Sequence, residues 1–465
     1  MSDDLCFLSI AEASEAIRTR KLSPVELTQA HLDRIERVDH KVHAFITITA
    51  DRALDDARRA EAEIEAGDYR GPMHGIPYSL KDNIETAGIL TTGNSRLLID
   101  SVPAQDATCA ALMKQAGGVL LGKVALREFA LGTRHEDLPW PYPVNPWNRG
   151  YEFTGGSSTG SAVAVAAGLS MTSIGTDTGG SVRNPAGMCG IAGIKPTYGL
   201  VSRAGVIPNT FTLDTIGPLA RSAEDCAIVL QAIAAYDPKD PGSARSAAVD
   251  YRAGIGLGLK GLRIGVLCDF HESVLPPGTE MRTAFDRAIE TIRDLGADVV
   301  DAKLAPLTDY HACKVMLTLS EFYAVHERDL RERPHLFSRK LVMRALAGAM
   351  VSAADYLQAQ RMRLKLSRDM LAATEGFDAL LTLTTFAPAA LDDPNAPSAA
   401  VQQPAPTMPF SISGFPAIAV CTGFDSNGLP LSMQIASRPF EEPTCFRIAA
   451  AYEAAAGWIG RRPSL

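Results

Sequence analysis

Residues 155–196 read GGSSTGSAVAVAAGLSMTSIGTDTGGSVRNPAGMCGIAGIKP, and the two polar knots in this stretch, residues 155–161 and 176–181, organise the rest of the chain. The run of small apolar residues at 162–168 suits a tightly packed helix, and residues 169–175 read as a short buried strand. A helix of about ten residues advances roughly 15 Å. A strand of about six residues covers roughly 18–20 Å. If the strand runs back along the helix, the two knots meet at one edge of a sheet. Ser157 and Ser158 then face Ser181 across that edge.

Outward from this stretch, helical and strand patterns alternate. Ile76, Tyr78 and Leu80 alternate with Pro77, Ser79 and Lys81, a strand that ends in the polar turn Lys81-Asp82-Asn83. Residues 106–117 predict a helix, 118–122 a strand and 126–131 a further helix. Downstream, residues 223–234 read as helix, 262–267 as strand, 281–295 as helix and 297–301 as strand. A helical insert is expected at about 306–375 and a strand at 379–383. Residues 386–409 form a proline-rich loop, followed by strands at 416–424 and 431–437 and a helix at 444–458. Before all of this, residues 1–68 read as a helical N-terminal arm. It opens on the capping box Ser9-Ile10-Ala11-Glu12 and on Ser23-Pro24-Val25-Glu26, a cap serine with proline at the first helical position. The expected class is α/β: one large α/β/α domain over residues 69–465, with a mixed, mostly parallel central sheet covered by helices on both faces.

Composition narrows the function. The chain has 465 residues, 46% hydrophobic and 21% charged, enough for a large core. A formal net charge of −8 and the lack of a basic run argue against nucleic-acid or anionic-membrane partners. No stretch approaches the roughly 18–20 apolar residues of a membrane span. Nor does the N-terminus resemble a secretory signal, so a cytoplasmic protein is expected. Eight cysteines lack C-x-x-C spacing and read as buried free thiols. Nine histidines lack a ligand spacing, so neither a metal nor another cofactor is expected.

Three chemistries compete for the knots. A phosphate loop needs lysine where Ser161 stands. Gly156-Ser157-Ser158-Thr159-Gly160 matches the G-x-S-x-G nucleophile elbow, which would make Ser158 the nucleophile and demand a downstream histidine. No histidine lies past His335, and His311, His326 and His335 are expected at the surface of the helical insert. The third reading needs no histidine. Ser181 attacks, backbone N–H groups of Thr178, Gly179, Gly180 and Ser181 converge on the oxyanion, and Ser157 relays the proton. The base is Lys81, with burial lowering its pKa.

GIPYSLKDNI, GGSSTGSAVAVAAG and GTDTGGSVRNPAGMCGIAGIKPTYGLVS resemble the amidase signature family. Supporting matches are Leu121-Gly122-Lys123, Asn145-Pro146-Trp147, Asp214 with Gly217-Pro218, and Gly428-Leu429-Pro430. The resemblance implies a Ser–cis-Ser–Lys triad of Ser181, Ser157 and Lys81, with a cis peptide between Gly156 and Ser157. Ser158 and Asp177 are expected to support the loops. Arg183 is either a structural ion-pair partner or a clamp on a substrate carboxylate. Three departures stand out: Thr159 for the usual glycine, Ser411 where asparagine is frequent, and a divergent stretch at 126–144.

The expected function is hydrolysis of an acyl–nitrogen bond in a small or aryl carboxamide, with carbamates and ureas also accessible to the same serine, by a monomer or homodimer. The alternative is the ammonia-releasing component of a tRNA-dependent amidotransferase, its A subunit, acting on glutamine. Specificity walls are expected at 126–149, 306–375 and 386–409. Their aromatics, Trp140, Tyr142, Trp147, Tyr310, Phe322 and Tyr323, suggest a substrate with an apolar or aromatic part.

Overall fold

The small residues after the first serine knot form the helix Thr159–Ala166, which is buried along its whole length. Its alanines let the backbone lie close against the strand that follows it. A computed structural model describes residues 3–133, 137–150, 154–272, 279–389 and 404–465. The strands are β1 (Phe45–Ile48), β2 (Pro77–Lys81), β3 (Val119–Val124), β4 (Thr172–Asp177), β5 (Ala192–Lys195) and β6 (Thr215–Ala220). They continue with β7 (Arg263–Val266), β8 (Asp298–Asp301), β9 (Ala379–Leu383), β10 (Ala417–Phe424) and β11 (Pro430–Ala436). All join one sheet in the order β1-β3-β2-β4-β6-β5-β10-β11-β9-β7-β8.

The sheet is mixed, as expected, but not mostly parallel. Parallel pairing is confined to β3–β2–β4 on one side and β9–β7–β8 on the other. The six remaining pairings are antiparallel. The reason is local at each place. Asp425 to Leu429 make a tight reversal that can only return β11 antiparallel to β10. In the middle, β6 runs antiparallel to both of its neighbours. That strand contains Gly217 and Pro218, residues that argue against a central strand. Its ladder with β5 covers only Leu219 and Ala220, so Pro218 lies beyond the end of that pairing.

Helices cover both faces. One apolar core joins the sheet to the helices Ile10–Arg18, Thr108–Gln115, Ala223–Ile233, Glu280–Asp294 and Glu442–Ala456. A second core, on the opposite face, takes in Pro24–Val42, Ala50–Ala66, Thr159–Ala166 and Arg183–Met188. Both N-terminal caps form as written in the sequence. Ser9 and Glu12 make the reciprocal capping box, and Ser23 Oγ accepts from the N–H groups of Val25 and Glu26. The stretch 1–68 is not helical throughout, because β1 pairs with β3 and extends the sheet. The insert contains the long helices Leu307–Glu332 and Ala353–Ala373 with Arg339–Leu346 between them. Among the described residues no helix is long and apolar enough to cross a membrane.

Candidate active site

Because β2 and β4 run parallel, their C-terminal ends lie side by side, the usual position of a site in such a sheet. Lys81 is the last residue of β2 and is fully buried. Its Nζ lies 2.8 Å from Ser157 Oγ, 2.7 Å from Thr176 Oγ1 and 3.4 Å from the Thr176 carbonyl. Burial, first of all, pushes the Lys81 amine down from 10.5 to about 7. Asp214 and Asp177 oppose that shift and Arg127 adds to it.

The first knot turns through a cis peptide between Gly156 and Ser157. Ser158 Oγ bonds to both the N–H and the carbonyl of Thr176, at 3.3 and 3.2 Å, and so bolts the start of the helix Thr159–Ala166 to β4. The second knot is tied to the first by the Ser158 N–H, which donates to the Ser181 carbonyl at 3.1 Å. Ser157 and Ser181 line the same cavity of about 210 Å³, without a hydrogen bond between their hydroxyls.

Asp177 closes β4 and organises the second knot. Its carboxylate accepts from the N–H groups of Gly180 at 2.7 Å, Val182 at 3.1 Å and Arg183 at 3.5 Å. It also forms a two-pronged ion pair with Arg183, through Nε at 3.0 Å and Nη2 at 3.1 Å. Burial works against this carboxylate, but Arg183 prevails and holds it down at about 2. The backbone N–H groups of Thr178, Gly179 and Ser181 are left free of Asp177, whereas that of Gly180 is committed to it.

The Amidase family model matches residues 26–446. The chain belongs to the amidase family. It is 39% identical to the A subunit of the glutamyl-tRNA(Gln) amidotransferase from Synechococcus sp. (strain CC9311), over 98% of this chain and 99% of that one. A solved structure described as a vestigial protein complex revealing the evolutionary origins of an s-triazine catabolic enzyme superposes with a TM-score of 0.89. It is 31% identical and covers 98% of this chain and 100% of its own. The peptide amidase of Stenotrophomonas maltophilia superposes with a TM-score of 0.84 at 32% identity, covering 98% of each chain.

In this member of the amidase family, all five N–H donors of Arg183 are used internally. Beyond Asp177, they reach the Thr407 carbonyl at 3.0 Å, Gln434 Oε1 at 2.9 Å and Ser411 Oγ at 2.8 Å. Arg183 thus makes the internal ion pair with Asp177 and has no N–H donor left over in this arrangement, and Ser411 supplies one of its acceptors. Arg183→Ala would leave Asp177 as a buried, unpaired charge, and is expected to cost about 3–5 kcal/mol in urea unfolding. Arg183→Lys should recover only part of this, since an ammonium offers three donors and no fork.

Several residues around the site escaped the sequence reading. Thr176 holds the Lys81 amine, and Asn83 Nδ2 donates to Thr176 Oγ1 at 3.3 Å. Arg127, Lys314 and Arg344 line the cavity itself. Lys314 had a visible signal: it sits with Tyr310, Cys313 and Leu317 on the buried stripe of its helix, where lysine is out of place. None of the six aromatics expected to shape specificity is among the described lining residues. Trp147 instead packs on Phe424 and donates to the Cys189 carbonyl, while Tyr310 and Phe322 sit in the core. His326 is likewise no surface residue. It packs between Phe129 and Phe322, with ring centroids 4.6 and 4.5 Å away, and burial pushes it down to about 4. Of the expected walls, 126–149 and 306–375 contribute to the cavity, whereas residues 390–403 of the third lie outside the described residues.

Proposed function

We propose that the chain hydrolyses an acyl–nitrogen bond through an acyl-enzyme on Ser181, with Ser157 as proton relay and Lys81 as base. One observation carries this reading: a fully buried lysine amine, drawn down to about 7, lies 2.8 Å from a serine hydroxyl. A neutral amine has two N–H groups and one lone pair. Thr176 offers two acceptors, Oγ1 and the carbonyl, which leaves the lone pair for the Ser157 proton. Ser157 in turn takes the proton of Ser181 as Ser181 Oγ bonds to the acyl carbon. The proton then passes to the leaving nitrogen as the C–N bond breaks, and water repeats the sequence in reverse to free the acid. The N–H groups of Thr178, Gly179 and Ser181 suit the oxyanion, while Gly180 serves the loop through Asp177.

The relatives favour one finer reading over the others. Similarity along nearly the whole length to the A subunits of glutamyl-tRNA(Gln) amidotransferases supports glutamine as the amide, with a partner protein receiving the ammonia. A second reading, a free-standing amide hydrolase, is favoured by the likeness to the peptide amidase of Stenotrophomonas maltophilia along nearly the whole of both chains. Purification of the chain alone separates them. An amidotransferase component should show little glutaminase activity until its partner proteins are added. A free-standing enzyme should release ammonia or amine from a small amide unaided. A serine-directed fluorophosphonate is expected to label Ser181 in either case, and failure to label it would remove the shared chemistry.

A further inference from the structure

Resting on the acyl-enzyme reading above, we infer that Asn184 is a substrate-binding residue, and that the acyl part of the substrate carries a second, uncleaved carboxamide that pairs edge to edge with its side chain. Asn184 lines the same cavity as Ser157 and Ser181. It lies between the two catalytic knots. Its backbone N–H donates to the Gly180 carbonyl at 2.7 Å. A methyl group placed on Gly180 would come within 2.6 Å of Asn184 Nδ2, and one on Gly155 within 3.1 Å of the Asn184 carbonyl carbon. Glycine at 180 thus leaves room for this side chain, and glycine at 155 lets the first knot pack against its backbone.

The Asn184 carboxamide serves nothing inside the protein. Its Oδ1 is enclosed without a hydrogen-bond partner, and neither amide atom bonds to any described residue. Apart from the catalytic serines, the other polar side chains of the cavity are committed. Thr178 Oγ1 donates to Asp214 at 2.6 Å. Asn209 donates from Nδ2 to the Ala130 carbonyl at 2.9 Å, and its Oδ1 accepts from Thr210 at 3.1 Å. Thr133, Arg127, Lys314 and Arg344 are each engaged within the protein. A carboxamide has two N–H donors and a carbonyl oxygen. An enclosed oxygen without a donor is costly and calls for a partner. The kind of partner follows from the need to give and take at once. A carboxylate would serve the N–H groups and leave Oδ1 unpaired, an ammonium would do the reverse, and an alkyl group would serve neither. A second carboxamide serves both, through two parallel hydrogen bonds. The terminal torsion of asparagine is broad, so its amide can swing to meet that group. With about 210 Å³, the cavity is also below the roughly 300–1,000 Å³ usual for drug-sized ligands, which fits the diamide of a short dicarboxylic acid.

The experiment is protection of Ser181 from a neutral fluorophosphonate on the full chain, by succinamide, by its carboxylate counterpart succinamate and by its apolar counterpart 4-methylpentanamide. These three amides match in size and shape. For each variant the readout is the ratio of labelling rates with and without protectant, so a change in basal rate cancels. Succinamide should protect at concentrations about 10- to 100-fold lower than 4-methylpentanamide. Asn184→Leu, which keeps the shape and removes the polar atoms, should erase most of that difference. Asn184→Ala should do the same without added bulk. Because the amide holds nothing in the fold, the urea midpoint of Asn184→Leu should not fall, and a clear fall would assign the residue to the fold and overturn the proposal. Equal protection by succinamide and 4-methylpentanamide would overturn the second carboxamide, and stronger protection by succinamate would overturn it in favour of a carboxylate. A difference that survives in both variants would overturn the assignment of Asn184. If Ser181 is never labelled, it is the acyl-enzyme reading that fails.

Discussion

Ser181→Ala is expected to lower kcat by about five to six orders of magnitude, as removal of a serine nucleophile does elsewhere, while urea unfolding shifts by no more than about 0.5 kcal/mol. The two halves of that expectation have different physical origins. Activity goes because the acyl carbon loses the atom it must bond to. Stability stays because the hydroxyl is partly exposed to the cavity and has no hydrogen-bond partner among the described residues. Its neighbour makes the contrast sharp. Ser158 Oγ is buried and bonded twice to Thr176, so Ser158→Ala leaves buried backbone groups with one partner fewer and should cost about 1–3 kcal/mol. Its effect on labelling of Ser181 by a fluorophosphonate should be small by comparison. The reverse pattern, with Ser158→Ala dead and Ser181→Ala active, would restore the nucleophile-elbow reading of Gly156-Ser157-Ser158-Thr159-Gly160.

What the sequence disclosed, and what it concealed, follows from the range of the interactions involved. The meeting of Lys81, Ser157 and Ser181 in space was legible because Lys81 ends a patterned strand and the two serines lie in the polar turns on either side of the helix Thr159–Ala166 and β4, and parallel pairing of β2 and β4 brings those ends to one edge. Strands with strong apolar patterns, such as β9 and β10, were found close to their observed limits. β6 was missed because Gly217 and Pro218 erase the strand signal. Burial between β4 and β5 outweighs that local preference. β1 was missed because four residues between two helices are too few to show a period. The partners of Arg183 lie more than 220 positions away at Thr407, Ser411 and Gln434, beyond the reach of any local pattern. His326 illustrates the opposite error. The residues that follow it, Glu327, Arg328 and Asp329, are charged, yet an aromatic cluster drawn from three segments encloses it.

Lys81→Met should reduce kcat/KM by about 10²- to 10⁴-fold, the range of a lost general base, and should also flatten the pH profile. In the unaltered enzyme the base acts only when uncharged. With the amine lowered from 10.5 to about 7, activity must be small in acid, rise as pH passes through about 7 and level off above it. The same number would be irrelevant for a solvated lysine, which stays charged throughout this range. Asp214 supplies a signed check, because its own carboxyl is lifted to about 6, chiefly by burial, and could be mistaken for the titrating group. The negative charge of Asp214 favours the protonated form of Lys81. Removing it in Asp214→Asn should therefore ease deprotonation of Lys81 and move the rising limb to lower pH. If Asp214 were itself the group being titrated, the same substitution would abolish the limb. A limb that persists but moves down in Asp214→Asn, and vanishes in Lys81→Met, assigns the proton to the amine at the end of β2.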